Sequence, residues 1–372
     1  MIYYSLLFWF FLMSFTKSKK ILISSFLISA LSLGLTYGHG YDWINYSQIY
    51  SDLKYENSDV PFEYGYYYAM KLFYYFSAPY SLFHFSITIC IFYLIYTFCK
   101  KTLNPNLSFF VMFSFAGYFL FMEQMRQGLA ISIVALSIFM VPTKQYVRFT
   151  VMILLATMFH FTAIFGFLYL VLTPKNQFLF KTKYLIASSL VIFSVMFIYF
   201  NPGIVSFIPA LELKINLYKA QEQTLINSIF FLSSILYLIL AAVVFLMKYH
   251  KPDNKESLMI DGAVCSALFM YQTKIAFLLQ RVQYYAVPSL IYGTDRYFYR
   301  IGPISIFRIM YVVIILAIGL MPLRYEIYRN SLTSFLTITS DKYQIRDLIE
   351  KRCYDLRIAD PENTVIKECM NN

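Results

Sequence analysis

Apolar residues run through this chain in long blocks, and the charged residues that interrupt them fall at few places. The longest block, Leu107 to Val141, is 35 residues, roughly 50 Å as one helix at about 1.5 Å per residue. A bilayer's hydrocarbon core is about 30 Å thick, so the block is expected to break into two short spans. The break falls most naturally at Glu123-Gln124-Met125-Arg126-Gln127, the charged group inside it. Val147 to Leu172 reads either as one tilted helix or as two half-spans meeting at His160. Other blocks suit spans at Tyr3 to Phe15, Ile21 to Tyr37, Leu82 to Cys99, Tyr184 to Phe200, Ile229 to Met247, Leu258 to Leu279, Val282 to Tyr292 and Ile304 to Met321. With Leu107 to Met122, Gly128 to Val141 and the halves Val147 to Phe159 and Phe161 to Leu172, the pattern predicts an all-α polytopic membrane protein of about twelve spans.

Basic residues orient such a chain, because short cytoplasmic loops collect lysine and arginine. Lys17, Lys19 and Lys20, then Lys100 and Lys101, then Lys144 and Arg148 mark one side. Lys175, Lys181 and Lys183, then Lys248, Lys251 and Lys255, then Arg296 and Arg300 continue the series. All of these share a face only if His160 is an apex between two half-spans. The opposite, extracytoplasmic side then receives the loop 39–80, the Glu123–Arg126 apex, His160, Asn201 to Asn227, the Gln280-Arg281 turn and the tail from Leu323. The division expected is a membrane domain over 1–323 and an extracytoplasmic tail over 324–372.

Composition agrees with a membrane location. Hydrophobic residues make up 59% and charged residues 14%, far from the balance of a soluble domain. The net charge of +11 sits mostly in turns, so it does not indicate nucleic acid. Met1 to Phe15 lacks the basic start and small-residue cleavage site of a signal peptide and is read as a short attached span. The five cysteines form no CxxC pair and the four histidines are scattered, so neither a metal site nor any other cofactor is expected.

Charge inside or beside a membrane is costly unless it faces protein or water, which makes the isolated polar residues the site candidates. Arg126-Gln127 comes first, since a guanidinium suits bidentate phosphate recognition. The plain alternative is a turn held by Arg126 and Glu123, three residues apart. Arg281 is a second candidate cation for a diphosphate, with Lys274 two helical turns before it; the alternative is a cation reaching for the interface. His160 can donate to phosphate or accept a proton near neutral pH, or simply pack. The loop 39–80 combines acids (Asp42, Asp52, Glu56, Asp59, Glu63) with aromatics, among them Trp43, Tyr46, Tyr55, Phe62 and Tyr66. Rings stack on pyranose faces and carboxylates accept hydroxyl protons, although an interfacial aromatic belt has a similar composition. In the tail, eight basic and eight acidic residues balance, and Cys353 and Cys369 can pair in an oxidising compartment.

Five segments in order carry a resemblance: Gly40-x-Asp42-x-x-Asn45-Tyr46, Glu63-x-Gly65-Tyr66, Met125-Arg126-Gln127-x-x-Ala130, His160-Phe161-Thr162-Ala163 and Arg281-x-x-x-Tyr285. Together they resemble the EpsG-like branch of the Wzy polymerases of O-antigen, capsule and exopolysaccharide. The resemblance implies a glycosyltransferase of GT-C-like architecture in the bacterial cytoplasmic (inner) membrane, its active site facing the periplasm. Such an enzyme moves a growing glycan from undecaprenyl diphosphate to a lipid-linked repeat unit. Arg126, Gln127, Arg281 and Lys274 would bind the diphosphate; Asp42, Glu63 and His160 would be catalytic; Trp43, Tyr46 and Tyr66 would hold sugar. The expected partners are the lipid-linked donor and acceptor, membrane lipids, a chain-length regulator and a flippase. An O-antigen ligase or related lipid-diphosphate-sugar transferase is the nearest rival. A flippase is a more distant one, since no internal repeat is visible.

Overall fold

The computed structural model describes residues 2–54, 63–172, 232–250, 253–275, 280–359 and 369, with isolated positions 193, 197, 201 and 203. The expected span at Tyr184 to Phe200, most of the segment Asn201 to Asn227, the cluster Lys175, Lys181 and Lys183, and the loop residues Tyr55, Glu56, Asp59 and Phe62 lie outside them, Phe193, Phe197, Asn201 and Gly203 excepted.

The described chain is helical apart from one two-residue strand pair. In order it forms α1 (Ile2–Met13), α2 (Lys19–Gly34), β1 (Thr36–Tyr37), α3 (Asp42–Asp52), α4 (Tyr64–Tyr75), α5 (Tyr80–Lys100) and α6 (Pro105–Ala116). A π-helical turn, Gly117–Glu123, leads to α7 (Met125–Ser137). Then follow α8 (Tyr146–Thr157), a 3-10 segment (Phe161–Leu168), α9 (Tyr169–Leu172), α10 (Leu232–Met247) and α11 (Asn254–Ile275). A 3-10 segment (Val282–Ala286), α12 (Val287–Ile301), α13 (Ile306–Gly319), α14 (Glu326–Thr333), β2 (Leu336–Thr337) and α15 (Lys342–Ala359) complete it.

Two units divide these elements: Met1–Ser137 with Val151–Ile164 and Gly319–Asn372, and Ile138–Thr150 with Phe165–Ile318. In the first, α5 packs against α2, α6 and α7, and α1 lies along α6. Aromatic interlock holds α1 to α6: the Phe10 ring meets Phe113 edge-on at 4.8 Å and Phe109 at 5.0 Å, geometries the ring quadrupole favours. Pro105 fits the first turn of α6, where a missing N–H costs nothing. Beside it, Asn106 donates to the carbonyls of Thr16 and Ser18 in the α1–α2 turn, both at 3.1 Å. The C-terminal segment folds back onto the start of this unit. β1 pairs antiparallel with β2, Thr36 opposite Thr337 and Tyr37 opposite Leu336. A cluster of Tyr37, Tyr41, Trp43, Ile44, Leu336 and Leu348 closes around the Cys353–Cys369 disulfide.

In the second unit α11 is central, with α9, α10, α12 and the 282–286 segment against it. Asp253 and Glu256 cap its start reciprocally: the Glu256 N–H donates to Asp253 Oδ1 at 2.6 Å, the Asp253 N–H to Glu256 Oε2 at 3.4 Å. The buried Glu256 carboxylate also receives Arg300 at 2.8 Å. Asp261 one turn on is bridged by Lys248 at 2.7 Å.

The expectation of about twelve spans in a GT-C-like polytopic arrangement is corrected by this structure. Among the described residues two helices are long and apolar enough to cross a bilayer, Tyr80–Lys100 and Pro105–Glu123. Six further apolar helices are 10–17 residues, at most about 25 Å long, which is short of the roughly 30 Å hydrocarbon core. Each buries part of its apolar surface in the protein and leaves part exposed, as Leu7 and Phe8 of α1 and Ile153 and Val151 of α8 illustrate. Of the most apolar stretch of Pro105–Glu123, 94% is buried in the protein, so it is covered by neighbouring helices. For Tyr80–Lys100 the share is 50%, so the apolar blocks that read as spans one at a time supply the core of a helix bundle to differing degrees.

Candidate functional site

The long apolar block does break where its charges predicted. α6 passes into the π-helical turn, Gln124 leaves helical geometry, and α7 restarts at Met125. Arg126 therefore stands in the first turn of α7. The second block breaks at His160, between the end of α8 and the 3-10 segment beginning at Phe161. Among the described residues the loop 39–80 holds α3 and α4, and Tyr46 on α3 and Glu63 just before α4 are the partners of the breaks.

Glu63 occupies the position before α4 but makes no side-chain cap to its own helix. Instead Oε2 receives Arg126 Nη1–H at 2.6 Å, and Oε1 receives the Phe161 N–H at 2.9 Å. α4 is pinned to the same place by its backbone: the Gly65 N–H donates to the Met158 carbonyl at 2.8 Å. A Cβ at Gly65 would lie 2.6 Å from that carbonyl oxygen, so only glycine lets the two chains approach this closely. From α3, the Tyr46 hydroxyl receives Arg126 Nε–H at 3.3 Å, and its ring centroid lies 5.4 Å from the guanidinium carbon, a cation–π contact. Tyr66, in the first turn of α4, sets its ring 5.7 Å from Tyr46. His160 is buried, its Nδ1 2.6 Å from Thr162 Oγ1.

Electrostatics make this a firm ion pair. Burial pushes the Glu63 carboxyl up, but the Phe161 amide, Arg126 and His160 outweigh it and hold the group below the usual carboxylate range. Burial works against the Arg126 charge, and Tyr46 and Glu63 more than restore it. The side chains of Arg126 and Glu63 are 20% and 22% exposed, so the pair is shielded yet open to a ligand. It joins a guanidinium able to grip an anion and a carboxylate able to take a proton, with the buried Tyr46 supporting the guanidinium.

The other expected site residues are placed differently. Asp42 opens α3, one turn before Tyr46 on the same face, and is half-buried. Gln127 is fully buried within α7. Trp43 turns into the core, 1% exposed, its ring edge-on to Tyr37 at 6.0 Å; Tyr66 is likewise fully buried. Arg281 and Lys274 belong to the second unit. Arg281 is exposed just before the 282–286 segment, and Lys274 lies half-buried in the last turn of α11. Sequence reading paired Arg126 with Glu123 as its plain alternative. The ion pair the structure shows is with Glu63, 63 residues away, a distance no local rule reaches. The Phe161 amide has no side-chain signature at all.

Fold and site together define a membrane-associated helical protein whose isolated charges meet in shielded pairs. A family model described as the EpsG family matches residues 19–336, a range that includes α3, α4, Arg126, His160 and Arg281. The chain belongs to the EpsG family, which places it in polysaccharide biosynthesis with a glycosyltransferase-like role. No curated protein and no solved structure matches the chain.

Proposed function

We propose that the protein is a polysaccharide polymerase that transfers a growing glycan from undecaprenyl diphosphate to a lipid-linked repeat unit on the periplasmic face of the cytoplasmic membrane. The observation that carries this reading is the Glu63–Arg126–Tyr46 constellation, with the 2.6 Å ion pair at its centre. An acceptor hydroxyl oxygen attacks the anomeric carbon of the donor glycan, and the bond from that carbon to the diphosphate oxygen breaks. Undecaprenyl diphosphate leaves with its charge, and the hydroxyl proton passes to a carboxylate. The leaving group needs charge stabilisation, which Arg126 supplies in a shielded site. Gln127, which follows Arg126 in α7, is a further proposed diphosphate ligand, and His160 serves as a hydrogen-bond donor.

Glu63 is the better placed of the two candidate bases, because its own partner is the diphosphate ligand. While it pairs with Arg126 it is a poor base. A diphosphate drawing on the same guanidinium weakens the pair, and the proton affinity of Glu63 rises as the donor binds. Asp42, on the Tyr46 face of α3, orients the acceptor. Tyr46, itself buried against the guanidinium, holds Arg126 in place, with Tyr66 beside it and Trp43 supporting α3 from the core. A chain-length regulator and a flippase are the proposed protein partners.

The test is a surface-polysaccharide gel from a strain lacking this gene, restored with wild type or with Arg126→Ala. Collapse of the ladder to a single-repeat band, rescued by wild type and not by a membrane-located Arg126→Ala protein, is the expected result. A normal ladder from Arg126→Ala removes this residue from the reaction, and loss of every repeat band in the deletion strain points to flipping or ligation.

A further inference from the structure

The most heavily engaged side chain of the C-terminal segment has no part in the reaction above. Arg352, on α15, is fully buried. Its Nη2 donates to the carbonyls of Ser334 at 2.6 Å, Ser331 at 2.7 Å and Gly38 at 3.2 Å, and Nη1 to that of Asn330 at 3.2 Å. The guanidinium also lies over the Tyr41 ring, 5.6 Å from its centroid, and 3.8 Å from the Asp355 carboxylate. A planar fork with five donors serves several carbonyls at once; a lysine ammonium serves fewer and cannot stack in the same way.

What these bonds hold is the approach to α3. Gly38 has φ +82°, and a Cβ there would lie 2.8 Å from Leu348 Cδ2 on α15. Tyr41, the residue before α3, donates its hydroxyl to the Ile327 carbonyl at 3.0 Å. The β1–β2 pairing ties residues 36–37 to 336–337, and the disulfide from Cys353 secures α15 beside Arg352. Separate contacts from residues 327–352 thus converge on residues 36–41. One turn into the helix that follows stands Tyr46, against which Arg126 rests. The family match ends at residue 336, so Arg352, Leu348 and both disulfide cysteines lie beyond the region the family shares.

We propose that Arg352 is a positioning residue for the Arg126 site: by clamping the 38–41 turn to the C-terminal segment it sets where α3 presents Tyr46. The clamp serves a function only if Arg126 is in the site, so it rests on the reading above. Hydrogen exchange on the purified full chain in detergent, with the glycan ladder run in parallel, tests it. Arg352→Ala is expected to speed exchange of amides 42–52 about tenfold while residues 92–116 stay protected, and to lose the longest chains. Millimolar guanidinium is expected to restore slow exchange, and Arg352→Lys to fall between the two. Arg126→Ala is expected to remove the ladder and to change exchange over 42–52 far less than Arg352→Ala does.

Unchanged exchange over 42–52 in both Arg352 variants overturns the proposal. So does faster exchange there with a full ladder, where Arg126→Ala has removed it. Should Arg352→Ala loosen the whole chain, Arg352→Lys decides: a rise confined to 42–52 supports the clamp and a general rise overturns it. A normal ladder from Arg126→Ala fails the polymerase site instead, and exchange alone then judges whether Arg352 places α3.

Discussion

Glu63 shows how much a single side chain here depends on distant partners. It accepts from Arg126 and from the Phe161 amide, and neither is near it in sequence. Glu63→Gln keeps the shape and removes the charge, leaving a shielded guanidinium without its counter-ion. The expected loss is about 1–3 kcal/mol of stability near neutral pH. Because the folded carboxyl is held below its ordinary range, its contribution is complete above the unfolded value of about 4.3 and is lost as pH falls through the lower folded value. Denaturant melts of wild type and Glu63→Gln should differ by a constant amount from about pH 8 to about pH 5 and converge below that. A difference independent of pH down to strong acid would mean that the carboxylate charge is not what Glu63 contributes. At this scale the sequence was partly legible. Arg126 stood out because charge inside an apolar block is costly. Glu63 was visible only as one acid among several, since its role lies in contacts across 63 and 98 residues. Trp43 looked like a sugar platform because acids flank it, but it falls on the face of α3 that packs against Tyr37 and Leu348.

Elements were legible where polarity interrupts a block and illegible where it does not. The breaks at Gln124 and His160 followed from charge placed mid-run. The helices within 39–80 did not, because the acids and aromatics there suggested a sugar-binding loop. The buried positions Trp43, Tyr46 and Tyr50 recur at helical spacing in α3, a period that the density of aromatics conceals. The polar tail 324–372 forms α14, β2 and α15, with β2 paired to β1 and Leu348 of α15 in one cluster with Trp43 and Ile44 of α3. Its disulfide joins residues 16 apart, and closing a loop of that size removes about 3 kcal/mol of unfolded-state freedom. Cys353→Ser, and wild type after reduction, should each lower stability by about 2–4 kcal/mol relative to oxidised wild type. Differential scanning calorimetry in detergent with and without reductant checks this; identical melting of oxidised and reduced wild type would show that α15 is held without the disulfide.

For the molecule as a whole, twelve spans were expected because each apolar block was judged alone. Blocks of 12–16 residues are too short to cross a bilayer singly and bury part of their apolar surface against other helices, and hydropathy does not distinguish lipid from a neighbouring helix as the cover. The side of the membrane on which the site lies is a separate question, and the disulfide bears on it. Disulfides persist in oxidising compartments and are rare in the reducing cytoplasm. α15 carries one, and Arg352 beside it bonds the Gly38 carbonyl at the foot of α3, so we take α3, α4 and the tail to share the periplasmic side. Tyr343, 85% exposed on α15, is a suitable reporter because its replacement disturbs no buried contact. Tyr343→Cys in intact spheroplasts should react with a membrane-impermeant maleimide to the same extent as in lysed cells, above the background of the unsubstituted chain. Labelling only after lysis would put α15 in the cytoplasm. It would also put Glu63 and Arg126 there, and a donor presented from the periplasm would then be out of reach of the guanidinium proposed to receive its diphosphate.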